Sequence, residues 1–165
     1  METAKITVKV AETPAELEGA RAVRRRVFIE EQQVPEDEEY DELDATAHHV
    51  VALCDGVVVG TGRLVPGEAP EQARVGRMAV DAVWRHRGVG SRLLRLLEQA
   101  ALAGGYRRVY LHAQTHAAPF YSTLGYQPEG DIFFEAGIEH VTNVDEFLFK
   151  KRIGDRKNGL LDIIE

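Results

Sequence analysis

Apolar and polar residues alternate in short runs along the chain, and the period of the alternation changes from segment to segment. Apolar residues at every second position predict a first strand within residues 1–10 rather than a signal peptide. Residues 13–16 read Thr-Pro-Ala-Glu, which combines a capping threonine, a proline suited to the first helical position and the glutamate of a capping box. A helix is predicted to follow, because apolar residues recur at spacings of three and four at Leu17, Ala20, Val23 and Val27.

Further strands and helices are predicted downstream. Residues 48–54 and 57–65 are apolar runs joined by Asp55-Gly56, a strong signal for a β-hairpin. The clearest helix is predicted over 88–103, where apolar residues recur at helical spacing until two glycines end the pattern. The other predicted elements are a strand at 75–80, a strand at 108–113, a short helix at 116–124 and a late strand at 145–151. This order of strands and helices indicates an α/β domain.

The composition is that of one globular domain. The chain has 165 residues, of which 44% are hydrophobic and 28% charged. We predict a domain at 1–152 and a weakly apolar tail at 153–165. No apolar run approaches the roughly 20 residues of a membrane span. Cys54 is the only cysteine, so no internal disulfide can form, and a reducing, cytoplasmic location is expected. Its apolar surroundings predict a buried structural thiol rather than a nucleophile.

The negative charge is concentrated in residues 36–44, which we call the acidic segment. Seven of these nine residues are acidic, and outside them the 20 basic residues match the other 20 acidic ones, so the segment accounts for the net charge of −7. Such a run usually forms a solvated loop. Two alternatives stay open: the segment attracts a cationic substrate such as an amine, or arginines of 21–26 neutralise part of it. The pI of about 5.4 disfavours a general nucleic-acid binder.

A basic, glycine-containing turn precedes the longest predicted helix. Gly88 and Gly90 lack side chains, so an anion can approach the backbone N–H groups at the helix start. Arg85 and Arg87 can add charge-assisted hydrogen bonds, and Ser91 can add another. The spacing matches neither the Walker sequence nor the dinucleotide fingerprint. Spacing alone therefore leaves two interpretations, a phosphate-binding turn and an ordinary helix start with arginines in solvent.

Two motifs resemble those of the GNAT N-acetyltransferase superfamily. The first, similar to its acetyl-CoA loop, is Arg85-x-x-Gly88-x-Gly90. The second, similar to its helix-four motif, is Ala117-x-x-Phe120-Tyr121-x-x-x-Gly125-Tyr126. The gap between them fits one helix and one strand. The acidic segment and residues 26–32, 111–114 and 134–140 resemble the ElaA/YjcF-like branch, so the resemblance covers nearly the whole domain.

This resemblance implies a strongly bent mixed sheet of six to seven strands with about four helices. Acetyl-CoA, the implied co-substrate, would lie where the sheet splays between its fourth and fifth strands, with its pantetheine paired to a strand and its pyrophosphate on the turn. The implied contacts are Met78, Ala79, Val80, Arg85, His86, Arg87, Gly88, Val89, Gly90, Ser91, Gln114 and Tyr121. Gln114 departs from the asparagine that the superfamily often has there, which adds one methylene.

The implied reaction is direct transfer of an acetyl group to a primary amine of a small molecule or peptide. Family position makes Tyr121 the proton donor to the leaving thiolate, and a strand N–H such as that of Val80 would polarise the carbonyl. The amine needs a base, because a lysine-like amine with a pKa near ~10.4 is neutral in only about one molecule in a thousand at pH 7.

The identity of the base stays open. Many family members carry a glutamate on the fourth strand, where this chain has Arg74. The first candidates are Glu31 and His140, and further candidates are Glu30, His49 and Glu135. Each has a purely structural alternative, since a histidine at a strand start or a turn often only braces the fold.

No metal site is predicted, because the histidines are not at zinc-ligand spacings and no second cysteine is available. Two other functions would use the same cleft: hydrolysis of an acyl-CoA thioester and non-catalytic sensing of acyl-CoA. The presence of Tyr121 favours catalysis over sensing. We expect a monomer or homodimer with a small-molecule amine as substrate and with no nucleic-acid or membrane partner.

Overall fold

The computed structural model describes residues 5–145. The strands are β1 (Ile6–Val10), β2 (His48–Cys54), β3 (Val57–Pro66), β4 (Gln72–Val80), β5 (Arg108–Gln114), β6 (Gln127–Glu135) and β7 (Ile138–Asp145). The α-helices are α1 (Pro14–Arg24), α2 (Glu36–Glu39), α3 (Val89–Ala103) and α4 (Ala118–Thr123). A π-helical segment (Arg25–Glu31) continues α1, and 3₁₀ turns occupy Glu42–Ala45, Ala82–Trp84 and Thr115–Ala117.

The strands form one mixed sheet in the order β1-β2-β3-β4-β5-β7-β6. Every neighbouring pair is antiparallel except β4 and β5. The parallel ladder between β4 and β5 covers only Gln72–Val75 against Arg108–Leu111. Beyond it, β4 stays paired with β3 as far as Val80, and β5 stays paired with β7 as far as Gln114. The expected mixed sheet, splayed between its fourth and fifth strands, is confirmed.

Short-range chemistry determines several of the element boundaries. The Thr13 hydroxyl accepts a hydrogen bond from the Glu16 N–H at 3.1 Å, and the Glu16 carboxylate accepts one from the Thr13 N–H at 3.1 Å. The predicted capping box is therefore confirmed. Asp55 and Gly56 have φ angles of 50° and 79°, the positive values that a two-residue hairpin turn requires, and they join β2 to β3 as predicted.

Helices cover both faces of the sheet. On one face Leu93, Leu97 and Ala101 of α3 are fully buried against the strands. On the other face Ala20 and Val23 of α1 pack with valines of β2 and β3. Each fully buried leucine contributes roughly 1.5–3 kcal/mol of hydrophobic stabilisation, so α3 anchors the half of the sheet that carries the glycine turn.

The acidic segment is only partly the solvated loop that we expected, because four of its acidic residues are exposed but Glu39, Asp41 and Asp44 pair with arginines. It folds into α2 and a 3₁₀ turn, and the side chains of Glu39 and Asp44 are only 4% and 11% exposed. Arg24, at the end of α1, is 2% exposed and donates to Glu39 at 2.7 Å and to Asp44 at 2.8 Å. Arg63 of β3 donates to Asp41 at 2.7 Å and to Asp44 at 2.8 Å. Burying carboxylates is tolerable here because each has a charged partner.

Some predicted elements reach past the described part of the chain. The late strand at 145–151 and the tail at 153–165 lie outside it, apart from Asp145, as do the first residues of the predicted first strand. The apolar stripe of α1 does continue to Val27, which lies in the π-helical segment rather than in the α-helix.

Candidate functional site

A cleft of about 730 Å³ opens where β4 and β5 separate. One wall is the edge of β4 from Gly76 to Val80, which pairs with β3 only. The opposite wall is β5 from His112 to Gln114, which pairs with β7 only. Within residues 5–145, both strands therefore turn an edge without a β partner toward the cleft. Such an edge offers backbone N–H and C=O groups to an extended ligand.

A β-bulge shapes the β4 wall. The register between β3 and β4 shifts opposite Gly62, so that two β4 residues face one β3 residue. Arg77 lies in this bulge with a φ of 52°, a left-handed conformation that is unfavourable for a non-glycine residue. Its guanidinium donates to the carbonyl oxygens of Glu39 at 3.1 Å and Glu38 at 3.2 Å. The acidic segment thus holds the strained part of the cleft wall in place.

The glycine turn lies at the end of β4. Gly88 has a φ of 81° and immediately precedes α3, so the turn needs the conformational freedom of glycine. Ser91, in the first turn of α3, is 1% exposed, and its hydroxyl has no hydrogen-bond partner within residues 5–145. A buried hydroxyl without a partner at a helix N-terminus suits an anion that supplies the missing acceptor.

Arg85 connects the turn to the π-helical segment. Its Nε donates to the Val80 carbonyl at 2.9 Å, and its two Nη atoms contact the Glu31 carboxylate at 2.7 and 2.8 Å. These hydrogen bonds lower the pKa of Glu31. A carboxylate whose oxygens are occupied and whose pKa is lowered is a poor proton acceptor, so the geometry does not support Glu31 as the base.

Tyr121 of α4 lines the cleft from the β5 side. Tyr121 is 8% exposed, and its hydroxyl has no hydrogen-bond partner in the described chain. Burial raises the pKa of Tyr121 to about 12. The phenol therefore stays protonated at neutral pH, and it can donate a hydrogen bond to a group that enters the cleft.

A cluster of polar side chains lies in the cleft beside the end of the β4–β5 ladder. His140 of β7 is 8% exposed, and its Nδ1 donates to the Ile138 carbonyl at 2.7 Å. Because a carbonyl oxygen can only accept, the hydrogen of the neutral ring is on Nδ1, and Nε2 keeps a free lone pair. That Nε2 lies 3.9 Å from Glu135 Oε2. The other Glu135 oxygen is 2.7 Å from His112 Nδ1, and this contact lowers the pKa of Glu135.

Gln114, a predicted acetyl-CoA contact, is engaged by other side chains. Its amide exchanges hydrogen bonds with the amide of Gln32 at 2.8 and 3.3 Å, and its Oε1 lies 2.6 Å from His116 Nε2. Gln32 directly follows the π-helical segment, so this pair links the two sides of the cleft. Gln114 lines the cleft as expected, but these contacts occupy the amide.

The cleft brings together many of the residues that the sequence singled out: Met78, Ala79, Val80, Arg85, His86, Gln114, Tyr121, Glu31, Glu135 and His140. His49 is elsewhere, with Nε2 2.8 Å from the Asp44 carbonyl, where it braces the acidic segment. Glu30 is exposed and does not line the cleft. Cys54 is half-buried, not fully buried as expected, and it lies at the far end of β2.

His112 was not among the predicted bases, although its segment carried part of the resemblance. It lies on β5 between two buried residues, Leu111 and Ala113, where alternation alone indicates only a side chain on the opposite face. Its contact with Glu135 joins β5 to the end of β6, which no local pattern reveals.

Comparison with known proteins agrees with this geometry. The profile of the acetyltransferase (GNAT) domain family matches residues 11–143. The chain belongs to this family. The uncharacterized N-acetyltransferase YjcF of Bacillus subtilis is 37% identical over 133 residues, which cover 80% of this chain and 94% of YjcF.

The identity to YjcF supports the ElaA/YjcF-like branch of the GNAT superfamily, and solved structures share the fold. An acyl-CoA N-acyltransferase from Pseudomonas aeruginosa is 30% identical with a TM-score of 0.73, over 86% of this chain and 99% of that one. Escherichia coli ElaA shares the fold, with 22% identity and a TM-score of 0.74 over 87% of this chain and all of ElaA (100%). The protein is accordingly an acyl-CoA-dependent N-acyltransferase of the GNAT family.

The residues present fit an acyl-CoA. The open edge of β4 suits the amide-rich pantetheine arm, and the Gly88 turn with the unpartnered Ser91 hydroxyl suits its pyrophosphate. Within residues 5–145, no three His, Cys, Asp or Glu side chains are grouped so as to hold a metal ion. None of the helices described is both long and apolar enough to span a membrane.

Proposed function

We propose that this protein transfers an acetyl group from acetyl-CoA directly to a primary amine of a small molecule or peptide, in the cytoplasm. The observation that carries the proposal is the Tyr121 hydroxyl, which is buried, protonated and unpartnered among the described residues at the wall of a cleft with two open strand edges. A purely structural tyrosine would use its hydroxyl for a protein contact.

Acetyl-CoA is held along β4 and the turn. Met78, Ala79 and Val80 supply the backbone edge for the pantetheine, and a strand N–H of the open β4 edge polarises the thioester carbonyl. The pyrophosphate is bound by residues 85–91, with Ser91 as one donor. Bound in this way, acetyl-CoA supplies an activated acyl group whose sulfur can leave as a thiolate.

His140 is the proposed base. Its Nε2 carries the lone pair because Nδ1 donates to a carbonyl, and the nearby Glu135 carboxylate stabilises the positive charge that the ring gains with a proton. His140 Nε2 accepts the proton that the ammonium group loses, the neutral amine attacks the thioester carbon, and the C–S bond breaks as the N–C bond forms. Tyr121 donates its proton to the departing thiolate, for which it is better suited than a solvent-exposed group because the burial of the phenol excludes water.

The test combines binding and turnover. Isothermal titration calorimetry measures acetyl-CoA affinity, and thiol detection measures CoA release with a panel of primary amines. His140→Gln is expected to retain acetyl-CoA affinity and to lower kcat by roughly 10²-fold, the usual contribution of a general base. His48→Gln is the matched control, because His48 is half-buried and does not line the cleft.

Two outcomes would contradict the proposal. Tight acetyl-CoA binding without CoA release for any amine would indicate a non-catalytic acyl-CoA-binding module. CoA release at the same rate with and without amines would indicate thioester hydrolysis.

A further inference from the structure

The structure assigns a carboxylate-binding role to Arg74, and we infer that the acceptor is an amino acid or a similar amine that carries its own carboxylate. This inference rests on the proposed function, because it concerns the acceptor side of the same cleft.

Arg74 lies next to the last β4–β5 ladder pair and lines the cleft with 28% of its side chain exposed. Its Nη2 is 3.0 Å from His112 Nδ1 and 3.8 Å from Glu135 Oε1. The second distance is too long for a hydrogen bond. The guanidinium has five N–H donors. Only one of them has a hydrogen-bond partner among the described residues, and that partner is the ring nitrogen of His112.

The contact between Arg74 and His112 Nδ1 competes with a second contact of the same nitrogen. His112 Nδ1 is also 2.7 Å from Glu135 Oε1, and a carboxylate can only accept. If Nδ1 carries the hydrogen for Glu135, it has no lone pair left for Arg74. The shorter contact with a charged acceptor is the stronger of the two. Arg74 is then a cation at the cleft wall with no protein acceptor within hydrogen-bond distance in residues 5–145.

The phosphates of acetyl-CoA do not explain this cation. β4 ends and the turn begins at Val80, six residues after Arg74. Six residues of a strand span roughly 20 Å. The pyrophosphate site is therefore at the opposite end of the β4 wall. An anion near Arg74 must come from the other substrate.

The charges around Arg74 fit an amine that also carries a carboxylate. Arg74 and His140 flank the same Glu135 carboxylate, at 3.8 Å from Oε1 and 3.9 Å from Oε2. A substrate carboxylate can pair with the planar guanidinium through two hydrogen bonds. Its amino group would then lie beside the Glu135 carboxylate and His140, the proposed base. A simple amine would leave the guanidinium without an acceptor.

The experiment compares matched acceptors. CoA release is measured with lysine and cadaverine, phenylalanine and phenethylamine, and histidine and histamine, which differ by one carboxylate within each pair. The wild-type enzyme is expected to show a higher kcat/KM for at least one amino acid than for its decarboxylated partner. In Arg74→Gln that preference is expected to fall by about 10- to 100-fold, the effect of losing a charged hydrogen-bonded pair.

Two further variants sharpen the test. Arg107→Gln removes an exposed arginine outside the cleft and is expected to keep the preference of the wild-type enzyme. Arg74→Lys keeps the charge but loses the planar pair of donors, so an intermediate preference is expected. Comparing ratios between variants cancels the difference in amine pKa within each pair of acceptors.

The two proposals fail in different ways. If decarboxylated amines are acetylated as well as or better than the amino acids, or if Arg74→Gln keeps the wild-type preference, the inference about Arg74 is overturned and the acetyltransferase proposal stands. If acetyl-CoA binds in calorimetry but no acceptor of either kind releases CoA, the acetyltransferase proposal fails and this inference fails with it.

Discussion

The substitution Tyr121→Phe is expected to separate catalysis from stability. The Tyr121 hydroxyl is buried and lacks a protein partner in the described chain, and an unsatisfied buried polar group costs about 1–3 kcal/mol. Tyr121 lines the cleft, and the substitution removes this hydroxyl without removing a protein hydrogen bond among the described residues. Removing it should therefore leave the free energy of unfolding unchanged or raise it by about 1 kcal/mol.

The same substitution removes the proposed proton donor. General-acid catalysis contributes typically 10²–10⁴-fold, so kcat should fall by about 100-fold or more while acetyl-CoA affinity is retained. Since burial raises the pKa of Tyr121 to about 12, the phenol stays protonated well above the usual tyrosine pKa. The kcat of the wild-type enzyme should therefore not decline near pH 10 through ionisation of Tyr121. A decline in that range that disappears in Tyr121→Phe would contradict this expectation.

Tyr126→Phe is the matched control, because the two rings are neighbours with centroids 6.0 Å apart. The Tyr126 hydroxyl donates to the buried Glu98 carboxylate at 2.7 Å. Its loss should lower the free energy of unfolding by about 1.5–3 kcal/mol and leave kcat per folded molecule nearly unchanged. Urea denaturation and CoA release measure both effects. If Tyr121→Phe destabilised the protein by more than 1 kcal/mol and kept its kcat, Tyr121 would be a structural residue and not the acid.

Three further outcomes are expected. Ser91→Ala should weaken acetyl-CoA binding about 3- to 10-fold in calorimetry without lowering the melting temperature, because the buried hydroxyl has no protein partner to lose; unchanged affinity would remove Ser91 from the phosphate site. Asp44→Asn should cost about 3–5 kcal/mol in urea denaturation, since it takes a carboxylate from two buried arginines, whereas Glu36→Gln on the exposed surface should cost less than about 0.5 kcal/mol; equal costs would contradict a buried ion network. The hydrogen bond from Arg63 lowers the pKa of Asp41 to about 2, so this carboxylate stabilises the fold fully above about pH 4 and loses that contribution as the pH falls through about 2. Acid titrations of stability should show a shallower loss in this range for Asp41→Asn, and an identical slope would refute the assignment.

Features that depend on neighbouring residues could be predicted from the sequence. The Thr13–Glu16 capping box and the Asp55-Gly56 hairpin use contacts within a few residues, and both were found as predicted. The glycine turn before α3 also lies where predicted, because glycine is needed there for a left-handed φ. These local signals, with the two family motifs, were enough for the position of the cleft and for the order of elements from β1 to α4 apart from α2, whereas β6 and β7 were not located.

Features that depend on distant residues could not be predicted. The pairing of His112 with Glu135 joins residues 23 positions apart through the β5–β7–β6 arrangement. The amide pair of Gln32 and Gln114 spans 82 positions, and it occupies a side chain that was expected to face the cofactor. Likewise, the contact of Glu31 with Arg85 joins residues 54 positions apart. Single-sequence patterns carry no information about such partners.

The acidic segment illustrates how pairing changes the meaning of a charge pattern. As a sequence pattern, the acidic segment predicts an electrostatic field that attracts cations. In the fold, however, Glu39, Asp41 and Asp44 form ion pairs with three arginines from α1, β3 and β4. Little of their field is left to attract an amine, since paired charges of opposite sign cancel at a distance.

The same pairing has a consequence for the cleft. Arg77 is both a partner of the acidic segment and the residue that adopts the left-handed φ in the β4 bulge. A strained backbone conformation persists only where surrounding contacts hold it, and here those contacts are the carbonyl groups of α2. The segment therefore keeps β4 bulged, and under the proposed function this leaves the β4 edge available for the pantetheine arm. On this argument three of its seven carboxylates balance the three arginines, and we propose that Arg74, Glu135 and His140 on the cleft wall select the acceptor.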